Sequence, residues 1–352
     1  MRGRGDKLEA ALTARELDRM LVTDLTNVRY LTGFTGTNGA VVCGPGTRLF
    51  LTDFRYTERA AAEVSGWETI TVTADWLGGI AERLQGKTGF EDDQMSVRML
   101  EKLTAKLEEG TELLAAGGEV ERLRRVKDPD ELKAIAEASK LAEEAWRWAI
   151  ERGFKGRTER DVALATEAKI RELGGEPSFP AIVATAANGA LPHAEPGERE
   201  IGAGELVVFD MGAKLDGYCS DGTRTFATGD PGEKGREVYE TVLRAQLAAL
   251  AAIEAGVNGE QIDKVARDVI AEAGYGEAFG HALGHGVGLE VHEGPRLAQK
   301  SDDVLAPGEV VTVEPGIYLA GELGVRIEDF VIVTPQGCEN LSTLPKDLQI
   351  VE

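Results

Sequence analysis

Residues 281–293 read "HALGHGVGLEVHE" and hold three of the chain's four histidines, His281, His285 and His292. The fourth, His193, stands in "ALPHAEP". A lone histidine is usually structural, but three in one glycine-rich window suggest chemistry. Imidazole is the commonest metal ligand and a proton carrier near neutral pH. One ring could ligate a metal while the others hydrogen-bond a substrate and move protons. Gly284, Gly286 and Gly288 let backbone approach closely and leave room beside a site.

Acids supply the second signal. In "VVFDMGAKLDGYCSDGTRTF", a turn over residues 214–217 places Asp210 opposite Asp221 on one sheet face, with Cβ atoms about 4.5–5.5 Å apart. In "VEPGIYLAGELGVRIED", a turn centred on Gly321 pairs Glu314 with Glu328 in the same way. Like charges facing each other across a ladder are destabilising. On an exposed face water would screen them. Here they follow apolar runs, "VVF" before Asp210 and "VVTV" before Glu314, which are core-like contexts. A buried carboxylate cluster requires a cation. Four carboxylates and one imidazole suit two divalent ions. That donor set favours hard to borderline ions, Mn²⁺ ahead of Zn²⁺.

The elements that must position these residues form two groups. Residues 1–122 alternate short apolar runs ("RMLVTD", "AVVCGP", "RLFLTD", "ETITVT") with amphipathic stretches ("YTERAAAEV", "DWLGGIAERL", "SVRMLEKLTAKLEEG"), the pattern of a small α/β domain. The junction falls in "RLRRVKDP", where Asp128 before Pro129 predicts the N-cap and first position of a long helix. Residues 123–352 carry further helices in "TERDVALATEAKIRELGG", "GREVYETVLRAQLAALAAIEAG" and "QIDKVARDVIAEAGYG". Between and after them lie the β runs "AIVATA", "ELVVFDMGA", "YCSDGTRTFA", "VVTVEPGIYL" and "VRIEDFVIVT". Strands and helices are partly segregated, so this unit is expected to be α+β with antiparallel sheet. Each half of it bears one acid-carrying hairpin, a pattern that leaves an internal duplication open without demonstrating it.

Composition limits the partners. Sixty-one acidic against 39 basic residues give a formal charge of −22, which repels nucleic-acid backbones and anionic membrane surfaces. No apolar run is long enough to span a membrane, and "MRGRGDKLEAAL" is not a secretory signal. Cys43, Cys219 and Cys338 are far apart and odd in number, so no disulfide framework is expected and a reducing cytoplasm suits the chain.

Taken in order, "FDMGAKLDGYCSDGTRTF", "GHALGHGVGLEVHE", "VTVEPGIY" and "GVRIED" closely resemble the pita-bread metallopeptidases, and among them the Xaa-Pro peptidases, aminopeptidase P and prolidase. The resemblance covers essentially the whole chain. It implies a C-terminal pita-bread catalytic domain preceded by a smaller creatinase-like α/β domain. It implies two divalent metals per subunit, Mn²⁺ first with Zn²⁺ or Co²⁺ as alternatives, held by Asp210, Asp221, His285, Glu314 and Glu328. Asp210 would serve one metal, Asp221 and Glu328 both, His285 would be the single nitrogen donor, and Glu314 would double as general base. His292 matches the donor to the scissile carbonyl oxygen. His193 and His281 match substrate-contacting histidines, and Arg326 an arginine that organises the site. Tyr218 and Phe179 are candidates to line the site, whereas Ile182 is assigned to the core. The implied reaction is hydrolysis of the Xaa-Pro bond in small peptides, in a homodimer. The expected type is aminopeptidase P, with Xaa-Pro dipeptidase as the alternative, for which Arg296 in "EGPRLAQ" would bind the proline carboxylate. Of the other readings, a non-catalytic peptide-binding module and a metal-free creatinase-like enzyme would each be expected to lack ligands that this chain keeps. Methionine aminopeptidases share the metal set but usually lack the N-terminal domain.

Overall fold

A computed structural model describes residues 3–351. The chain divides into two compact units, one up to Arg124 and one from Arg125. The first is a six-stranded mixed sheet in the order Glu68–Thr71, Thr47–Thr52, Ala40–Gly44, Arg19–Val22, Lys87–Phe90, Glu112–Ala115, with helices in the connections. Four strands coincide with the apolar runs of the sequence. The other two are not read from the sequence: Lys87–Phe90 adds in parallel beside Arg19–Val22, and Glu112–Ala115 in parallel beside Lys87–Phe90. Among the described residues no helix is long and apolar enough to cross a membrane. Cys43, Cys219 and Cys338 are free thiols.

The second unit opens with the helix Pro129–Glu151. Asp128 caps it as the sequence predicts: its Oδ1 accepts from the backbone N–H of Asp130 and Glu131 at 3.0 Å, and Glu131 Oε2 accepts the Asp128 N–H at 3.0 Å. The helix Glu159–Glu172 follows. The same two-helix arrangement recurs in Gly232–Ala252 and Gly259–Glu272. Both second helices have 14 residues and a polar N-cap, Thr158 or Asn258, and they bury matching positions: Val162 and Ile262, Thr166 and Ala266, Ile170 and Ile270. The helix pair is therefore repeated in the two halves of this unit.

Each helix pair is followed by antiparallel strands and has its own core. In the first half, Leu206–Asp210 lies between Ile182–Thr185 and Thr223–Ala227. Strand alternation sends Val207 and Phe209 toward the first helix pair. There Phe209 meets the edges of Trp146 and Phe154 at 6.2 and 5.9 Å between ring centres. Asp210 points the other way. In the second half the order is Glu293–Leu297, Gly284–Gly286, Val310–Val313, Asp329–Thr334, Gly337–Asn340, with Gly316–Leu319 and Leu323–Arg326 as a separate hairpin.

One register differs from the sequence expectation. Asp210 sits opposite Thr223, not Asp221. The chain reverses in a two-residue turn at Asp216–Gly217, with φ of 46° and 83°, so Leu215 pairs with Tyr218. Asp-Gly is the preferred pair for such a turn because both positions need the left-handed region. The register moves by an even step, so Asp221 stays on the same face as Asp210, one diagonal away. The second hairpin keeps the expected register. Val313 faces Asp329 and Gly316 faces Arg326, which leaves Glu314 and Glu328 level in the gap between the two ladders. Neither acid completes a rung there: Glu314 N–H donates to Leu283 O at 2.8 Å and Glu328 N–H to Thr223 O at 3.0 Å.

Candidate metal centre

The two hairpins and the Gly284–Gly286 strand bring five predicted residues together in the second unit. Ligand-type atoms of Asp210, Asp221 and Glu328 lie within 4.8 Å of one another, as do those of His285, Glu314 and Glu328. His285 Nε2 is 3.3 Å from Glu314 Oε1 and 3.6 Å from Asp221 Oδ2. The His285 ring is fixed from behind, with Nδ1 3.0 Å from Gly286 O. A nitrogen facing a carbonyl carries the proton, so in the neutral ring Nε2 presents its lone pair to the acids. Backbone proximity makes this geometry possible. A Cβ at Gly284 would stand 2.0 Å from Thr312 O, and one at Gly286 2.0 Å from Gly294 O.

Electrostatics show what the cluster is suited to hold. Burial, reinforced by the neighbouring acids, pushes the carboxyls of Asp221 and Glu328 well above their ordinary range. Asp210 is also raised by burial, against the pull of Arg326. Burial opposes a charged His285, but the Glu314 hydrogen bond and the charges of Glu314 and Asp221 outweigh it and raise the ring to about 9. In the metal-free chain, protons thus supply the positive charge. One buried atom remains unmatched: Asp210 Oδ1 has no hydrogen-bond partner, while Oδ2 receives Arg326 Nη2 at 2.6 Å. Buried acids of raised pKa, a directed imidazole lone pair and an orphan carboxylate oxygen fit divalent cations.

Arg326 is bonded to several groups around the acids. Its Nε donates to Thr223 Oγ1 at 3.0 Å, and its Nη1 to Tyr318 Oη at 2.9 Å and Pro192 O at 3.2 Å. Thr223 Oγ1 in turn donates a hydrogen bond to Glu328 Oε2 at 2.7 Å. His281 faces Tyr318 Oη through Nε2 at 2.9 Å and Ala282 O through Nδ1 at 2.8 Å. Both ring nitrogens are therefore engaged, and a direct contact to substrate would have to displace Tyr318.

A cavity of about 880 Å³ opens over the acids. His193, His281, His292, Arg296, Phe179 and Ile182 all line it. His292 is exposed, and its ring centre stands 4.4 Å from that of His285. Burial and the His285 charge lower its pKa. Two expectations are corrected. Ile182 is half-buried on the cavity wall, because it starts an edge strand rather than filling the core. Tyr218 is not on the cavity. Directly after the tight turn, it packs against the buried cluster that includes Ile135, Val287 and Phe330 and donates to Glu131 Oε1 at 3.0 Å.

Several participants went unrecognised in the sequence. Thr223 lies two residues after Asp221, so strand periodicity alone could have placed it on the acid face. Tyr318 stands four residues after Glu314 in the β run "VVTVEPGIYL", so the same alternation marks it as well. Glu293 lines the cavity beside His292 and is anchored by Lys127, whose Nζ is 2.7 Å away. That pair is distant in sequence.

The fold and site define a metallopeptidase, and the chain belongs to metallopeptidase family M24, whose model matches residues 133–335; the Creatinase/Prolidase N-terminal domain model matches residues 4–126. It is an Xaa-Pro peptidase with the α+β pita-bread domain and smaller α/β domain that the resemblance implied. The Xaa-Pro dipeptidase of Pyrococcus furiosus is 36% identical over 99% of this chain and 100% of its own. The solved Xaa-Pro dipeptidase from Bacillus anthracis is 40% identical, covers 99% of both chains and superposes with a TM-score of 0.96. The X-Pro aminopeptidase from Thermotoga maritima is 35% identical over 99% and 100%, with a TM-score of 0.91. The relatives weigh toward the dipeptidase alternative rather than the aminopeptidase P type expected from the sequence.

Proposed function

We propose that this chain is an Xaa-Pro dipeptidase that works with two divalent cations, Mn²⁺ being the first candidate. The observation that carries the dipeptidase reading is Arg296. It lines the cavity, its charge is felt at His292, and among the described residues its guanidinium makes no ion pair. An unpaired cation beside the reacting centre suits the free carboxylate of a C-terminal proline. The names of the dipeptidase relatives support the same reading.

Asp210, Asp221, His285, Glu314 and Glu328 would hold the cations. When bound, two such ions supply positive charge to the scissile carbonyl and acidify water at neutral pH. The chain's own residues do the rest. His292, kept neutral by its lowered pKa, donates a ring N–H to the carbonyl oxygen as negative charge develops there. Glu314 accepts a proton from the attacking water and returns it to the departing proline nitrogen. Arg296 takes the proline carboxylate, and Phe179, Ile182 and Pro192 offer apolar wall to the substrate side chains. Three free thiols suit a cytoplasmic setting, and a homodimer is the assembly proposed from the family resemblance.

The likeness to the Thermotoga X-Pro aminopeptidase keeps a second reading in view, in which longer peptides are preferred. One assay separates them: Xaa-Pro, Xaa-Pro-Yaa and Xaa-Pro-Yaa-Zaa compared under Mn²⁺, with wild type and Arg296→Met. A dipeptidase cleaves the dipeptide best, and the variant raises its KM about tenfold or more, the loss of one charged hydrogen bond. Faster cleavage of the longer peptides, unchanged in the variant, would establish the aminopeptidase reading instead.

A further inference from the structure

Arg224 follows Thr223, and strand alternation turns its side chain away from the acids. The side chain is 3% exposed and places all five of its N–H donors. Nε donates to Pro345 O at 3.0 Å, and Nη1 to Thr223 O at 2.9 Å and to Glu328 O. Nη2 donates to Asp329 Oδ1 at 2.7 Å and to Leu344 O at 2.9 Å. Asp329 is fully buried, and its other oxygen accepts from Gln246 at 3.0 Å and from Asn340 and Lys346 at 2.7 Å.

The two hairpins carrying the acids share no sheet. They meet through Glu328 N–H to Thr223 O, Thr225 Oγ1 to Arg326 O and Arg326 N–H to Thr225 Oγ1, Thr223 Oγ1 to Glu328 Oε2, and the Arg326 side chain. Arg224 spans the same junction from behind, with one nitrogen bonded to the carbonyls of both Thr223 and Glu328. A planar guanidinium can bridge two main chains in this way while its other donors bind elsewhere; an ammonium, with three donors, cannot make all five bonds. A buried ion pair is a weak source of stability relative to apolar packing, but its geometry is demanding.

We propose that Arg224, oriented by Asp329, is a positioning residue that sets the separation between the Asp210/Asp221 hairpin and the Glu314/Glu328 hairpin, and thereby the affinity for the metal pair. This rests on the metal reading above. The test is a titration of Mn²⁺ into the full-length protein, with free Mn²⁺ read by electron paramagnetic resonance. Arg224→Lys keeps the charge but loses the fork, and should raise the Mn²⁺ Kd about tenfold or more, the usual effect of a supporting residue behind metal ligands. Turnover should recover at saturating Mn²⁺. Lys346→Met removes one donor from the far side of Asp329. It should lower Tm yet shift the Kd by less than about threefold, since no ligand-bearing backbone is released. An Arg224→Lys Kd equal to wild type overturns the proposal, and so do equal Kd shifts in both variants. If Arg224→Lys does not fold, Asp329→Asn carries the test: a Kd raised about three- to tenfold supports the assignment and an unchanged Kd overturns it. A wild-type chain that binds no Mn²⁺ overturns the metal reading and this proposal with it, whereas normal wild-type binding with unchanged variants overturns this proposal alone.

Discussion

Arg326 Nη2 stands 2.6 Å from Asp210 Oδ2, while Asp210 Oδ1, equally buried, receives no hydrogen bond. The pair divides one carboxylate between a permanent cation and an open coordination position. Removing the arginine takes away the fixed cation on Asp210 and the hydrogen bond to its Oδ2, which only a bound metal would replace. Arg326→Met should therefore cost about 3–5 kcal/mol of unfolding free energy in metal-free protein, and clearly less with saturating Mn²⁺. Denaturant titrations with and without Mn²⁺ measure both, and equal losses in the two states would contradict the division.

The raised pKa values give stability a direction with pH. Asp210, Asp221 and Glu328 are raised, so in metal-free protein the folded state is disfavoured as pH climbs above the ordinary carboxylate range near about 4. His285 acts in the same sense. Its pKa of about 9 gives stability that is complete below the unfolded value near 6.5 and lost between there and 9. Cations replace these protons. The Tm gained on adding Mn²⁺ should thus be larger at about pH 8 than at about pH 5.5. Scanning calorimetry showing a gain that shrinks as pH rises would contradict the assignment of the raised groups.

Ligand and donor roles separate by mutation. His285→Ala and Glu328→Gln should each lower Mn²⁺ occupancy and activity together. His292 also lies within ligand distance of Asp221 and His285, but it is exposed and assigned to the substrate. His292→Ala should keep two Mn²⁺ per chain and lose about 10²–10³-fold in kcat, the usual loss for one oxyanion donor. Metal analysis beside steady-state kinetics checks this. Loss of one Mn²⁺ in the His292 variant would make it a ligand, and wild-type turnover would remove its role.

Arg326, Tyr318 and His281 form a hydrogen-bonded relay in which the Tyr318 hydroxyl accepts from the guanidinium and donates to the ring. Tyr318→Phe breaks both links without touching an acid of the cluster. We expect kcat/KM for Xaa-Pro to fall about tenfold, the scale of a lost hydrogen bond to a charged group, with Mn²⁺ content unchanged. Unaltered kcat/KM would show that His281 does not depend on this support.

The site was legible in the sequence where strand periodicity controls it. The Glu314 and Glu328 register follows from the turn at Gly321. The first hairpin was displaced because the Asp216–Gly217 turn is tighter than a four-residue reversal, yet the even displacement left Asp210 and Asp221 on one face. That parity keeps the acids together despite the changed register. What the sequence did not disclose are partners fixed by tertiary packing. Tyr318 reaches His281 across the site, Lys127 anchors Glu293, and Tyr218 is drawn to Glu131 on the first long helix rather than to the cavity. None of these pairs is local, so no spacing rule marks it.

The central claim is that the two acid-bearing hairpins enclose a pair of dications. Anomalous diffraction at the manganese edge, from crystals of the wild-type protein grown in MnCl₂, tests it most directly. Two strong peaks among Asp210, Asp221, His285, Glu314 and Glu328 are predicted. A single peak, or none at these side chains with Mn²⁺ in excess, would contradict the account.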